Sequence, residues 1–128
     1  MKKYIFTLIL TLFALSIPKG AAQAVLKVDK TTCDLGTFPE EKPVQCEFHI
    51  TNTGDQPLVI YQALASCGCT VPSFPKQAIK PNEKGVITIT YNGKGKYPGH
   101  FTKVVTIRSN ASNKLVRLYV KGNMSEKK

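Results

Sequence analysis

The residues best suited to chemistry are four cysteines, Cys33, Cys46, Cys67 and Cys69. The last two form the unusual run Cys67-Gly68-Cys69-Thr70. On an extended chain, thiols two residues apart share one face at a spacing of roughly 6.6 Å. A bond between them requires the backbone to bend, and Gly68 supplies that freedom. The closed ring would be tight, and strained, exposed disulfides are the reducible ones. Left as thiolates, the pair suits Cu(I), whereas tetrahedral zinc needs all four cysteines or outside ligands. A third reading is structural: a bridged or buried element that closes the end of a sheet.

Cys33 and Cys46 admit a different argument. If the chain turns around Phe38-Pro39-Glu40-Glu41, Leu35 faces Val44 and Cys33 faces Cys46 across an antiparallel hairpin. Opposed residues of such a pair have Cβ atoms about 4.5–5.5 Å apart, near disulfide range. Cys46 is in phase with Phe48 and Ile50, so this bridge would face the core. The alternative is two buried thiols that pack as small hydrophobes.

Other groups offer less. His49 and His100 could join a metal site only if the fold brings them to the cysteines; on the polar face of a strand each would simply be solvated. Ser66, Thr70 and Ser73 have no nearby His and carboxylate to make a hydrolase constellation. Gly93-Lys94-Gly95-Lys96 lacks the spacing and the following helix of a phosphate-binding loop. Asn110-Ala111-Ser112 and Asn123-Met124-Ser125 fit the N-glycosylation pattern, a short one that arises often by chance. The sequence carries no enzyme signature and calls for no cofactor.

The elements that must position these residues begin after an export signal. Met1-Lys2-Lys3 is a positive start, Tyr4 to Ile17 an apolar run, and Ala21-Ala22-Gln23-Ala24 a small-residue stretch with Ala22 and Ala24 in an A-x-A arrangement. Cleavage is expected after Ala24, with Ala22 as the fallback. The run is too short to span a bilayer, which takes about 20 apolar residues. The full sequence has eighteen Lys and Arg against eight Asp and Glu, net +10. Without Lys2, Lys3 and Lys19 this becomes fifteen against eight, or +7. That excess suits anionic surfaces or a solvated basic face. The lysines are scattered, so nucleic acid is a poor partner.

Downstream the pattern has period two. Val44, Cys46, Phe48 and Ile50 alternate with polar residues, and Thr53-Gly54-Asp55-Gln56-Pro57 reads as a turn. Leu58–Leu64, Val86–Tyr91, Phe101–Ser109 and Lys114–Lys121 read as further strands, with Leu26–Val28 and Thr31–Leu35 at the start. About seven short strands and no helix in one domain's length predict an all-β, immunoglobulin-like sandwich, with a closed barrel as runner-up. The expected division is a signal peptide over 1–24, the sandwich over 25–123 and a disordered tail over 124–128.

Several segments in this order carry a family resemblance: Asp34-Leu35-Gly36-Thr37-Phe38, the run Phe48 to Ile60 containing Thr51-Asn52-Thr53-Gly54-Asp55, Ser66-Cys67-Gly68-Cys69-Thr70, Ile79-Lys80-Pro81-Asn82-Glu83 and Ile107-Arg108-Ser109-Asn110. Over residues 31–123 the sequence resembles the short exported bacterial proteins of "domain of unknown function 1573". The resemblance implies an Ig-like domain of the Hydin and PapD-chaperone superfamily, and it singles out Cys67, Gly68, Cys69 and Thr70. It also implies that the Cys33–Cys46 pair is a local addition, which argues against a shared four-cysteine zinc site. The expectation is a non-catalytic periplasmic or secreted module that binds a protein or glycan partner through a sheet edge or loop. The alternative is a thiol-redox or copper-handling protein acting through Cys67 and Cys69.

Overall fold

The computed structural model describes residues 22–40 and 42–126, so the signal segment expected over 1–24 lies almost wholly outside the described residues. Eight strands form two four-stranded sheets. The first sheet has the order β1 (Leu26–Val28), β3 (Val44–Asn52), β6 (Lys84–Tyr91), β5 (Thr70–Ser73). The second has the order β2 (Thr32–Pro39), β8 (Leu115–Ser125), β7 (Gly99–Ser109), β4 (Ile60–Ala65). There is no helix among the described residues. This is the Ig-like sandwich, with β1 and β2 bounding one lateral side and β5 and β4 the other.

Alternating apolar residues make the two inner faces. Ile50, Ile87 and Ile89 of the first sheet meet Val105, Ile107, Leu118 and Val120 of the second, all fully buried. Each such side chain contributes about 1.5–3 kcal/mol by leaving water. A smaller cluster closes one end: Phe38, Tyr91 and Met124 with the half-buried Phe101. Tyr91 and Phe101 stack with centroids 4.1 Å apart, and Phe38 meets both edge-on at 5.9 and 5.8 Å.

Three sequence expectations change. First, β2 and β3 do not form a hairpin: β2 pairs in parallel with β8, and β3 pairs with β1 and β6 in the other sheet. Pro39 and Pro43 bracket the connection, which lacks the Gly or Asn that a tight hairpin turn demands. The chain therefore crosses between sheets. Second, β8 runs to Ser125 with Met124 buried in the aromatic cluster, so the tail expected from residue 124 is part of the sandwich up to that point. Third, the fold reaches back past residue 25, because Ala24 is only 2% exposed.

The sequence Thr51-Asn52-Thr53-Gly54-Asp55 has a physical role that its composition does not advertise. Asn52 is fully buried. Its Nδ2 donates to the carbonyls of Gln56 (2.7 Å) and Ile79 (2.9 Å), and its Oδ1 accepts from the amides of Gly54 (3.0 Å) and Val25 (3.3 Å). One side chain thus ties the turn, the segment at Val25 and the Ile79 segment together. All its polar capacity is used, as burial requires.

Candidate functional site

The Cys67-Gly68-Cys69 run forms the corner at which the chain leaves the edge of one sheet, β4, and enters the edge of the other, β5. Cys67 and Cys69 are joined as a disulfide with their Cα atoms 5.3 Å apart. That is shorter than an extended chain allows and reflects the bend. The Thr70 amide donates to the Cys67 carbonyl at 3.2 Å, and the Cys69 amide lies 3.0 Å from Cys67 Sγ. Cys69 is 7% exposed and packs on the Phe38, Tyr91 and Met124 cluster, whereas Cys67 is half-buried and Gly68 is open to solvent. The Asn92 amide donates to the Cys69 carbonyl at 2.8 Å, which fastens the corner to the end of β6. Thr70 is buried, its Oγ1 3.7 Å from Cys69 Sγ.

Cys33 and Cys46 are joined as a second disulfide, Cα atoms 6.5 Å apart. It does not lie across a hairpin. It links β2 of one sheet to β3 of the other, through the main core. The structure does not bring the four cysteines together as one ligand set. His49 lies on β3 opposite Val86, 3.8 Å from Glu47, and His100 lies on the other sheet opposite Asn123. Among the described residues no three His, Cys, Asp or Glu side chains are grouped as metal ligands.

Next to the corner stands a feature that sequence reasoning missed. Among the described residues β4 pairs only with β7, and between Ile60 and Gln62 its register shifts. Ile60 is opposite Ser109 and Gln62 opposite Arg108, so Tyr61 is the extra residue of a β-bulge. Before the bulge Leu58 and Ile60 face the core; after it Ala63 and Ala65 do. The phase change puts Leu64 outward. Tyr61 (65% exposed) and Leu64 (46%) make an outward apolar rim on β4, and Leu115 (57%) stands on β8, across β7 from it. A groove of about 530 Å³ between Tyr61 and Leu115 is lined also by Arg108, Asn110 and Lys114.

The other three edges are blunted. β1 has three residues, and β5 has four including Pro72. β2 carries an irregularity between Asp34 and Thr37, where Gly36 adopts φ +70° and its amide is held by Asp34 Oδ1 at 2.9 Å. Such devices discourage strand addition. β4 carries a bulge too, at Tyr61, but it has six residues, no proline and no charge.

The two glycosylation-type asparagines are engaged in the fold. Asn110 Oδ1 accepts from the Val59 amide (2.8 Å) and its Nδ2 donates to the Pro57 carbonyl (3.0 Å). Asn123 lies within β8, paired with both neighbouring strands.

The family described as "Protein of unknown function (DUF1573)" matches residues 26–124, and the chain belongs to it. No curated protein matches the sequence. Among solved structures, a protein of unknown function from Porphyromonas gingivalis W83 is similar, with TM-score 0.70 and 18% identity, over 85% of this chain and 50% of that one. The chain thus spans half the length of that protein. The PapD-like domain 7 of human CEP192 matches with TM-score 0.66 and 10% identity, over 88% of this chain and 93% of that one. The Pseudomonas aeruginosa CupB2 chaperone matches with TM-score 0.57 and 16% identity, over 77% and 55%. At these identities the likeness is one of fold.

Proposed function

We propose that this chain is an exported, non-catalytic Ig-like module of the bacterial cell envelope that binds a protein partner through the β4 edge and the Cys67–Cys69 corner beside it. The observation that carries the reading is a difference among the described edges: β1 and β5 have three and four residues and β2 carries Asp34 and an irregularity, whereas β4, though bulged at Tyr61, offers six uncharged residues with the exposed Tyr61 and Leu64 beside its unpaired backbone. An unprotected edge is a hazard unless a partner covers it, and strand addition to such an edge is a common mode of peptide recognition. The two disulfides and the leader-like sequence of residues 1–24 support residence in an oxidising compartment, periplasmic or secreted. A chaperone, a protein that acts on other proteins, is among the chains sharing the fold.

The test is affinity capture from envelope extract with wild-type protein and with Leu64→Arg. The reading expects a specific protein recovered by the first and lost with the second. Equal recovery by both, or recovery of glycan alone, contradicts it. The rival, redox or copper chemistry at Cys67 and Cys69, predicts instead ready reduction of that disulfide at the potential of a glutathione buffer, or copper bound to the reduced protein. It is supported by the half-exposure of Cys67 and weighed against by the burial of Cys69 in the aromatic cluster.

A further inference from the structure

Both Ala22 and Ala24 end a small-x-small triplet, Gly20-Ala21-Ala22 and Ala22-Gln23-Ala24, and sequence alone favours the second as the processing site. The fold distinguishes them. Ala24 is 2% exposed and packs in the main core. Its carbonyl accepts from the Ser112 amide at 2.9 Å, and the Gln23 carbonyl accepts from the Asp55 amide at 3.0 Å. Gly54 lies so close beneath this segment that an added Cβ would meet Gln23 O and fall 2.6 Å from the Val25 nitrogen and 2.7 Å from Ala24 Cα. Residues 23–25 are therefore an integral strip of the sandwich, pressed against a glycine that leaves room for their backbone.

Cleavage after Ala24 would remove two of these bonds, leave a hole where the Ala24 methyl packs, and place a new ammonium on half-buried Val25. Cleavage after Ala22 does none of this, since Ala22 and Gln23 are both exposed. It also generates a charge where one is wanted: the Gln23 nitrogen lies 2.8 Å from Asp55 Oδ1. We infer that the processing site is the Ala22–Gln23 bond, and that the new α-ammonium of Gln23 pairs with the Asp55 carboxylate. This rests on the export reading above. The step is a hydrolysis: water adds across the Ala22–Gln23 amide, leaving a carboxylate on the leader and an amine on the mature chain.

The full-length chain is expressed in a Gram-negative host, fractionated, and the periplasmic product analysed by intact mass and by sequencing of its first peptide. The expected product is residues 23–128, with Gln23 as the free amine or as its lactam after loss of ammonia. A product starting at Val25 overturns the inference and leaves export standing. An unprocessed chain confined to the cytoplasm overturns export itself. For the ion pair, Asp55→Asn is compared with wild type as the free-amine form. The inference expects a lower Tm in low salt and a difference that shrinks in 1 M salt. Equal Tm values in low salt would overturn the pairing.

Discussion

Cys33–Cys46 joins β2 of one sheet to β3 of the other at a sequence separation of 13, while Cys67–Cys69 spans a separation of 2 at the corner between β4 and β5. In the chain-entropy account the first closure contributes about 3 kcal/mol and the second about half as much. Each bridge has one buried cysteine, Cys46 or Cys69, and one half-buried, Cys33 or Cys67; the first packs on the main core and the second on the aromatic cluster at one end. The two bridges therefore serve different ends. One holds the sheets together, and the other fixes the shape of a surface corner that adjoins the only long, uncharged edge strand among those described.

Variants sharpen this contrast, the largest effect coming from neither bridge. Phe38→Ala removes the ring that meets both Tyr91 and Phe101 edge-on and should cost about 3–5 kcal/mol in denaturant unfolding. It should also loosen the Cys67–Cys69 corner, read as faster amide exchange at Cys69 and Asn92 than at Ile107. The double change Cys33→Ala, Cys46→Ala should cost about 3 kcal/mol, a Tm loss on the order of 12–20 °C for a domain of this size. The same change at Cys67 and Cys69 should cost about 1.6 kcal/mol or less and leave a cooperative transition. Equal losses from the two double variants would break the contrast.

Smaller effects follow. Burial raises the Tyr91 phenol above its ordinary 10.0. The folded state then holds that proton where the unfolded state has lost it. Its contribution is complete below about pH 10 and declines as pH rises beyond. Tyr91→Phe should flatten the alkaline limb of a stability profile and change little at pH 7. Leu64→Arg should stay within about 0.5 kcal/mol of wild type, because the side chain is outward and exposed. Its effect should appear in partner binding.

How much of this was legible beforehand varies by region. Strict alternation from Val44 to Asn52 and from Val86 to Tyr91 made those strands readable, because each buries one face. The β2–β3 crossing was not readable from spacing, since two strands of opposite direction near a turn look alike whether they share a sheet or face each other. What decided it was pairing with β8 and β6, remote in sequence. The Cys67-Gly68-Cys69 run was conspicuous, and its bend was implied by the distance the thiols must close. Its placement between two edge strands was not. The outward rim was hidden by the bulge at Tyr61, which shifts the phase of Leu64 without any glycine or proline to announce it. Asn52 could have been suspected from Asn52-Thr53-Gly54-Asp55 as a turn, though not its burial or its hold on Val25.

The most direct measurement of partner binding at β4 is site-specific photo-crosslinking in intact cells, with the reactive group at Tyr61, at Leu64, or at Val86 on β6, in the other sheet. All three positions are exposed and apolar, so they differ in location more than in chemistry. A discrete adduct with one envelope protein is expected from positions 61 and 64 and none from 86. An adduct of equal yield from position 86, or no protein adduct from either β4 position, would contradict binding at this edge.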